Sequence, residues 1–134
     1  MKLNLKELIS KITSTPLIVE SGTSGIWTYR KWSDGTAECW GSKTPTTNPT
    51  PAQWGSLYYI RVDGENYPTG LFTSIISAYG QLACANDYVS SIRYQGHGGS
   101  APSTTTSGDI LAIRPNSVGA TSCTGLFYTI GKWK

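Results

Sequence analysis

The residues that could do chemistry are few. His97, within Gly96-His97-Gly98-Gly99, is the single histidine of the chain. A zinc-type site needs three or four side-chain ligands, and no second histidine stands near it, so His97 reads as a solvated loop residue. A Ser-His-Asp relay could be drawn from His97, Asp109 and one of many serines. No Gly-x-Ser-x-Gly elbow marks a nucleophile, and Gly22-Thr23-Ser24-Gly25 lacks that five-residue spacing. Glycoside hydrolysis needs two carboxylates across a cleft. Asp34 and Asp63 fall in Asp-Gly turns and Glu38 is expected to be matched by Lys31, which leaves Glu20, Glu65, Asp87 and Asp109 without a linking pattern. Phosphate-cradling glycine motifs are absent. Cys39, Cys84 and Cys123 fit no zinc spacing, and an odd count leaves no complete disulfide framework. They read as buried free thiols of a protein made in a reducing compartment. The expectation is a protein that is not an enzyme, with no cofactor and no metal site.

Recognition of a sugar is the better-supported chemistry. Aromatic rings stack on the apolar faces of sugars, while neighbouring amides and carboxylates exchange hydrogen bonds with the hydroxyls. Loops at 48–54, 66–67, 86–88 and 94–97 bring such residues together, with Asn48, Trp54, Asn66, Tyr67, Asp87, Tyr88, Tyr94 and His97 as candidate ligand-binding positions. The net charge of +3 is mild and its cations are scattered, so nucleic acid is not an expected partner. No stretch of about 20 apolar residues suggests membrane insertion. Asn4, Lys6, Glu7 and Lys11 interrupt the first sixteen residues, so these lack a signal-peptide core.

The elements that would carry these residues follow from pattern. With 134 residues, 14% of them charged, five Trp and eight Tyr, the chain is one domain with enough apolar surface for a real core. Leu3, Leu5, Leu8, Ile9 and Ile12 recur at helical spacing. The spacing predicts a helical segment over residues 1–14, ended by Ser14 to Pro16. Such a helix is marginal alone and needs its stripe covered, so Leu5, Leu8 and Ile12 are expected to serve oligomerisation or attachment. Residues 15–134 read as strand and turn: strands at 17–20, 26–32, 36–40, 53–62, 71–79, 81–85, 88–95, 109–114 and 126–133, with a turn at 21–25 and open loops at 44–53 and 96–108. Many short strands with frequent turns predict an all-β domain, an antiparallel β-sandwich or jelly-roll-like fold with a short N-terminal helix.

Asp34-Gly35 is a hairpin signal. A two-residue turn would pair Lys31 with Glu38, Arg30 with Cys39 and Tyr29 with Trp40. One face would then carry Trp27, Tyr29, Lys31, Glu38 and Trp40; the other would carry Ile26, Thr28, Arg30, Trp32, Ala37 and Cys39. Neither is a plain solvent face. Leu126, Tyr128 and Ile130 similarly oppose Phe127, Thr129 and Trp133, and Leu111 and Ile113 oppose Ile110 and Ala112. Such two-faced strands predict self-association, with Trp27, Tyr29 and Trp40 at the interface.

The stretch ESGTSGIWTYRKWSDGTAECWG at 20–41 resembles the opening of small β modules in tail-fibre, head-fibre and baseplate proteins of phages and prophages, in particular those of Gram-positive gut bacteria. The ending Tyr128-Thr129-Ile130-Gly131-Lys132-Trp133-Lys134 is similar to the aromatic-Gly-basic-Trp-basic terminus of the same modules. The middle of the chain carries little of this likeness. The resemblance implies a virion protein made in the bacterial cytoplasm, a homotrimer, with other virion proteins and a host cell-surface glycan as partners. It assigns no binding residue. A monomeric carbohydrate-binding module and a purely structural connector are the alternatives. Such modules often end long fibre chains. Here the module begins soon after Met1, as a short independent product or an excised piece would.

Overall fold

The computed structural model describes residues 4–85, 90–93, 101–117 and 119–134. Helix α1 (Leu5–Ser14) starts at Asn4, whose side chain accepts from the Glu7 N–H while Glu7 accepts from the Asn4 N–H, a reciprocal cap. It stops at Thr15, extended as the residue before Pro16 must be. Among the described residues nine strands follow: β1 (Ile18–Ser24), β2 (Trp27–Trp32), β3 (Thr36–Lys43), β4 (Ala52–Trp54), β5 (Leu57–Val62), β6 (Ser74–Cys84), β7 (Ser90–Arg93), β8 (Ile110–Arg114) and β9 (Cys123–Lys132). They form an antiparallel β-sandwich. One sheet has the order β1-β2-β3-β9-β6 and the other β4-β5-β8-β7.

Several sequence expectations change. Residues 21–25 are not a turn: β1 runs on to Ser24, and only Gly25, at φ 58°, begins the reversal. The predicted strand 53–62 is a hairpin, β4 and β5, reversed at Gly55, φ 61°. The strands predicted at 71–79 and 81–85 are one strand, β6, passing straight through Gly80.

The hairpin register is also corrected. The Gly35 N–H donates to the Trp32 carbonyl, closing a loop of Ser33, Asp34 and Gly35 with Gly35 left-handed at φ 91°. A three-residue loop of this kind ends in a bulge at the left-handed glycine. Lys31 therefore faces Ala37, Arg30 faces Glu38, Tyr29 faces Cys39 and Thr28 faces Trp40. A one-residue slip moves every β3 side chain to the other face of the sheet. Ala37 and Cys39 turn inward with Trp27, and Glu38 and Trp40 turn outward.

The core lies between the sheets. Ile60, Val62, Ile110 and Ala112 come from the second sheet, and Trp27, Cys39, Phe127 and Leu82 from the first. Tyr67, Leu71 and Phe72 enter it from the β5–β6 connection. Trp27 packs on Tyr67 and Phe127 at centroid distances of 5.3 and 5.9 Å, and Tyr67 meets Phe72 edge-on at 4.9 Å. Each such pair adds about 0.5–1.5 kcal/mol beyond the area it buries. In β8, Ile110, Leu111 and Ala112 are all buried within their own chain, Leu111 at 5%, while Ile113 is half-buried. A second copy is not needed to explain the cover of those first three residues.

Register also orients the sandwich. Ile18 faces Trp32 and Thr36 faces Lys132, so α1 joins at the β2–β3 turn end. Lys43 opposite Gly125 and Cys84 opposite Cys123 lie at the other end.

Candidate binding surfaces

Strand β9 lies between β3 and the edge strand β6 in the first sheet, and its odd-numbered residues from Cys123 to Gly131 are buried. Leu126, Tyr128 and Ile130 consequently face outward. The register then sets Tyr128 between Trp40 on β3 and Tyr79 on β6, with Thr28 beyond Trp40. Neighbouring strands lie about 4.8 Å apart, so Trp40, Tyr128 and Tyr79 form a row of rings crossing the strands. Tyr79 and Tyr128 are tilted at a centroid distance of 6.5 Å, and Tyr79 is 64% exposed.

The charges beside this row satisfy one another. The Arg30 guanidinium lies 4.8 Å from the Trp40 ring centre, and its Nε is 3.8 Å from Glu38 Oε1. The Tyr128 hydroxyl donates to Glu38 Oε2 at 2.7 Å. Burial, together with this carboxylate acceptor, pushes the Tyr128 phenol up to about 12, so at neutral pH it remains a protonated donor. Two shallow depressions lie along one side of the row and meet at Leu126. One, of 320 Å³, lies against Tyr79, Gln81 and Tyr128. The other, of 460 Å³, lies against Thr28, Trp40 and Ser42. Rings, hydroxyls, an amide and an internally compensated ion pair suit an uncharged, hydroxyl-bearing ligand with flat apolar faces.

A second surface begins at the N-terminus. Leu5, Leu8, Ile9 and Ile12 form one helical stripe and all are exposed, Leu5 at 72%. Leu17, Ile18 and Val19 extend this exposed apolar run into β1. That strand is the edge of its sheet, with the Lys31–Glu20 ion pair at 2.9 Å lying along it.

The residues expected from sequence are dispersed. Asn48 is exposed between β3 and β4, and Trp54 is exposed at the end of β4. Asn66 is exposed, and its carbonyl accepts the Trp27 indole N–H at 2.7 Å. Tyr67 is chiefly a core residue: its ring is buried and its hydroxyl meets Thr129 Oγ1 at 2.9 Å. Asn66 and Tyr67 do border a 420 Å³ depression with Pro68, Thr69, Thr104 and Thr105. Asp87, Tyr88, Tyr94 and His97 lie outside the described residues.

Among the expected interface residues, Leu5, Leu8 and Ile12 are exposed. Trp27 is corrected: it is 2% exposed, in the core of its own chain. Tyr29 packs against the core and donates to Glu20, while Trp40 stands on the opposite face, so the expected Tyr29–Trp40 pair does not form. Tyr79 and Tyr128 escaped sequence reasoning. Alternation alone placed Tyr128 on a face with Leu126 and Ile130, but nothing local reveals which strands flank β9.

Among the described residues no group of three His, Cys, Asp or Glu could hold a metal ion, and no helix is long and apolar enough to cross a membrane. No family model and no curated protein matches the chain. Among solved structures, the fold is similar to that of an N-truncated R1-type pyocin tail fibre, with 11% sequence identity and a TM-score of 0.54. The similarity covers 97% of this chain and 98% of that one.

Proposed function

We propose that this chain is a fibre-type structural module of a phage, a prophage or a phage-tail-like particle, assembled as a homotrimer and contributing to contact with a host-surface glycan. The observation that carries the reading is the correspondence of the whole fold, over 97% of the chain, with a pyocin tail fibre. The resemblance at residues 20–41 and 128–134 supports it independently, because it comes from sequence at the two ends of the β domain. The module is a component of the particle, is made in the bacterial cytoplasm, and binds rather than catalyses.

The α1 stripe supports the trimer. A ten-residue helix is marginal in isolation and gains when copies close their apolar stripes on one another. Its position at the β2–β3 turn end leaves the opposite end free to point away from an attachment site. The Trp40–Tyr128–Tyr79 row supports the glycan. The same row also favours the second reading, a monomeric carbohydrate-binding module.

Light scattering separates the two readings. The trimer has three times the protomer mass of 14.5 kDa, and a clean monomer at micromolar concentration refutes it. Binding of the labelled chain to purified bacterial surface polysaccharides and cell-wall fragments tests the receptor role. Retained assembly with no binding to any of them leaves a structural connector.

A further inference from the structure

Two of the three thiols meet. The β6–β9 ladder ends with Cys84 directly opposite Cys123. Facing residues of an antiparallel pair share one side of the sheet, with Cα atoms about 4.5–5.5 Å apart. That range lies inside the 4.4–6.8 Å that a disulfide spans. Cys123 is in the core, and Cys84 is half-buried and packed against it. The third thiol cannot compete: Cys39 faces Thr129, about 20 Å along β9 from Cys123. The odd cysteine count thus hides one pair and one single thiol.

We propose that Cys84 and Cys123 close a cross-strand disulfide when the folded protein leaves a reducing compartment, locking the sandwich at the end remote from α1. The reaction takes a small disulfide such as oxidised glutathione. The Cys84 thiolate attacks one of its sulfurs and expels one glutathione thiolate. The Cys123 thiolate then attacks Cys84 Sγ in the mixed disulfide and expels the second. The protein loses two electrons and two protons, and glutathione disulfide becomes two thiols. Cys84 is the entry point because it is the more accessible of the two.

The bond joins the two ends of residues 85–122, the segment carrying β7 and β8. Beyond it, the Ala85 N–H already donates to the Ser122 carbonyl at 3.1 Å, so the ladder is in place before oxidation. Burial pushes both thiols up, Cys84 to about 11 with the Cys123 sulfur adding to the rise. Only the thiolate attacks, so closure is slow at neutral pH and quickens as pH rises. The inference does not depend on the fibre reading.

The test is to incubate the reduced, folded full chain with oxidised glutathione at mildly alkaline pH. Intact mass should fall by two hydrogens, a tryptic map should join Cys84 to Cys123, and Cys39 should remain alkylatable after denaturation. The oxidised form should melt at higher temperature than the reduced form. Cys39→Ser should keep the cross-link, while Cys84→Ser and Cys123→Ser should each abolish it. Stable single glutathione adducts, a cross-link through Cys39, or two unreacted thiols while circular dichroism reports a native fold each overturn the proposal.

Discussion

The Tyr67–Thr129 bond is the sharpest place to test how the two sheets are joined. Tyr67 lies on the β5–β6 connection that crosses between the sheets, and Thr129 lies at the centre of β9. Their hydroxyls are 2.9 Å apart, and Thr129 is fully buried. Tyr67→Phe keeps the ring on Trp27 and Phe72 and deletes one oxygen. The Thr129 hydroxyl then loses this partner inside the core, which costs about 1–3 kcal/mol. At roughly 4 °C per kcal/mol for a domain of this size, the midpoint falls by about 4–12 °C. Thr129→Val removes the other end of the bond at similar cost. The double variant loses both hydroxyls and leaves neither donor nor acceptor stranded by the other. It should therefore be less destabilised than the sum of the singles, with a coupling of about 0.5–3 kcal/mol. Urea unfolding followed by tryptophan fluorescence, with unchanged m values, measures all four proteins. Additive single effects, or a neutral Tyr67→Phe, would refute the reasoning.

A Cβ on Gly131 would run into the Ser74 carbonyl oxygen and come within 2.7 Å of Phe72 Cδ1; Gly131→Ala should lower stability by about 1–3 kcal/mol in the same urea assay. Leu8→Asp combined with Ile12→Asp should reduce the light-scattering mass to that of the monomer while leaving the β-sheet circular dichroism intact. The Tyr128 phenol is held up to about 12 in the fold against an ordinary 10. The unfolded chain thus releases its proton first, so this contribution is complete below pH 10 and is lost as pH rises towards about 12. Tyr128→Phe should flatten that part of the stability profile. Tyr79→Ala removes a largely exposed ring and should weaken binding to surface glycan severalfold while shifting the melting midpoint little.

Local signals carried far in this chain. The all-β class, the helix with its stop before Pro16, and the division of β9 into two faces were legible, because propensity and alternation act between close neighbours in sequence; which of those faces is buried was not. The Asn4–Glu7 cap was legible in principle from residue type and spacing. Adjacent hairpin registers, however, differ little in backbone hydrogen bonding. Whether Asp34-Gly35 closes a two-residue or a three-residue loop is decided by which β3 side chains the core accepts. Packing chose Ala37 and Cys39 over Glu38 and Trp40, and so placed Trp40 outside and Glu38 beside Arg30. Strand order is still less local. Only the seating of β9 between β3 and β6 lines up Trp40, Tyr128 and Tyr79, and only that pairing brings Cys84 against Cys123. Sequence by itself determined the kind of domain and that it carries a single histidine. The aromatic row and the thiol pair were decided by tertiary structure, because their members are far apart along the chain and meet only when burial of both sheets selects one set of strand neighbours.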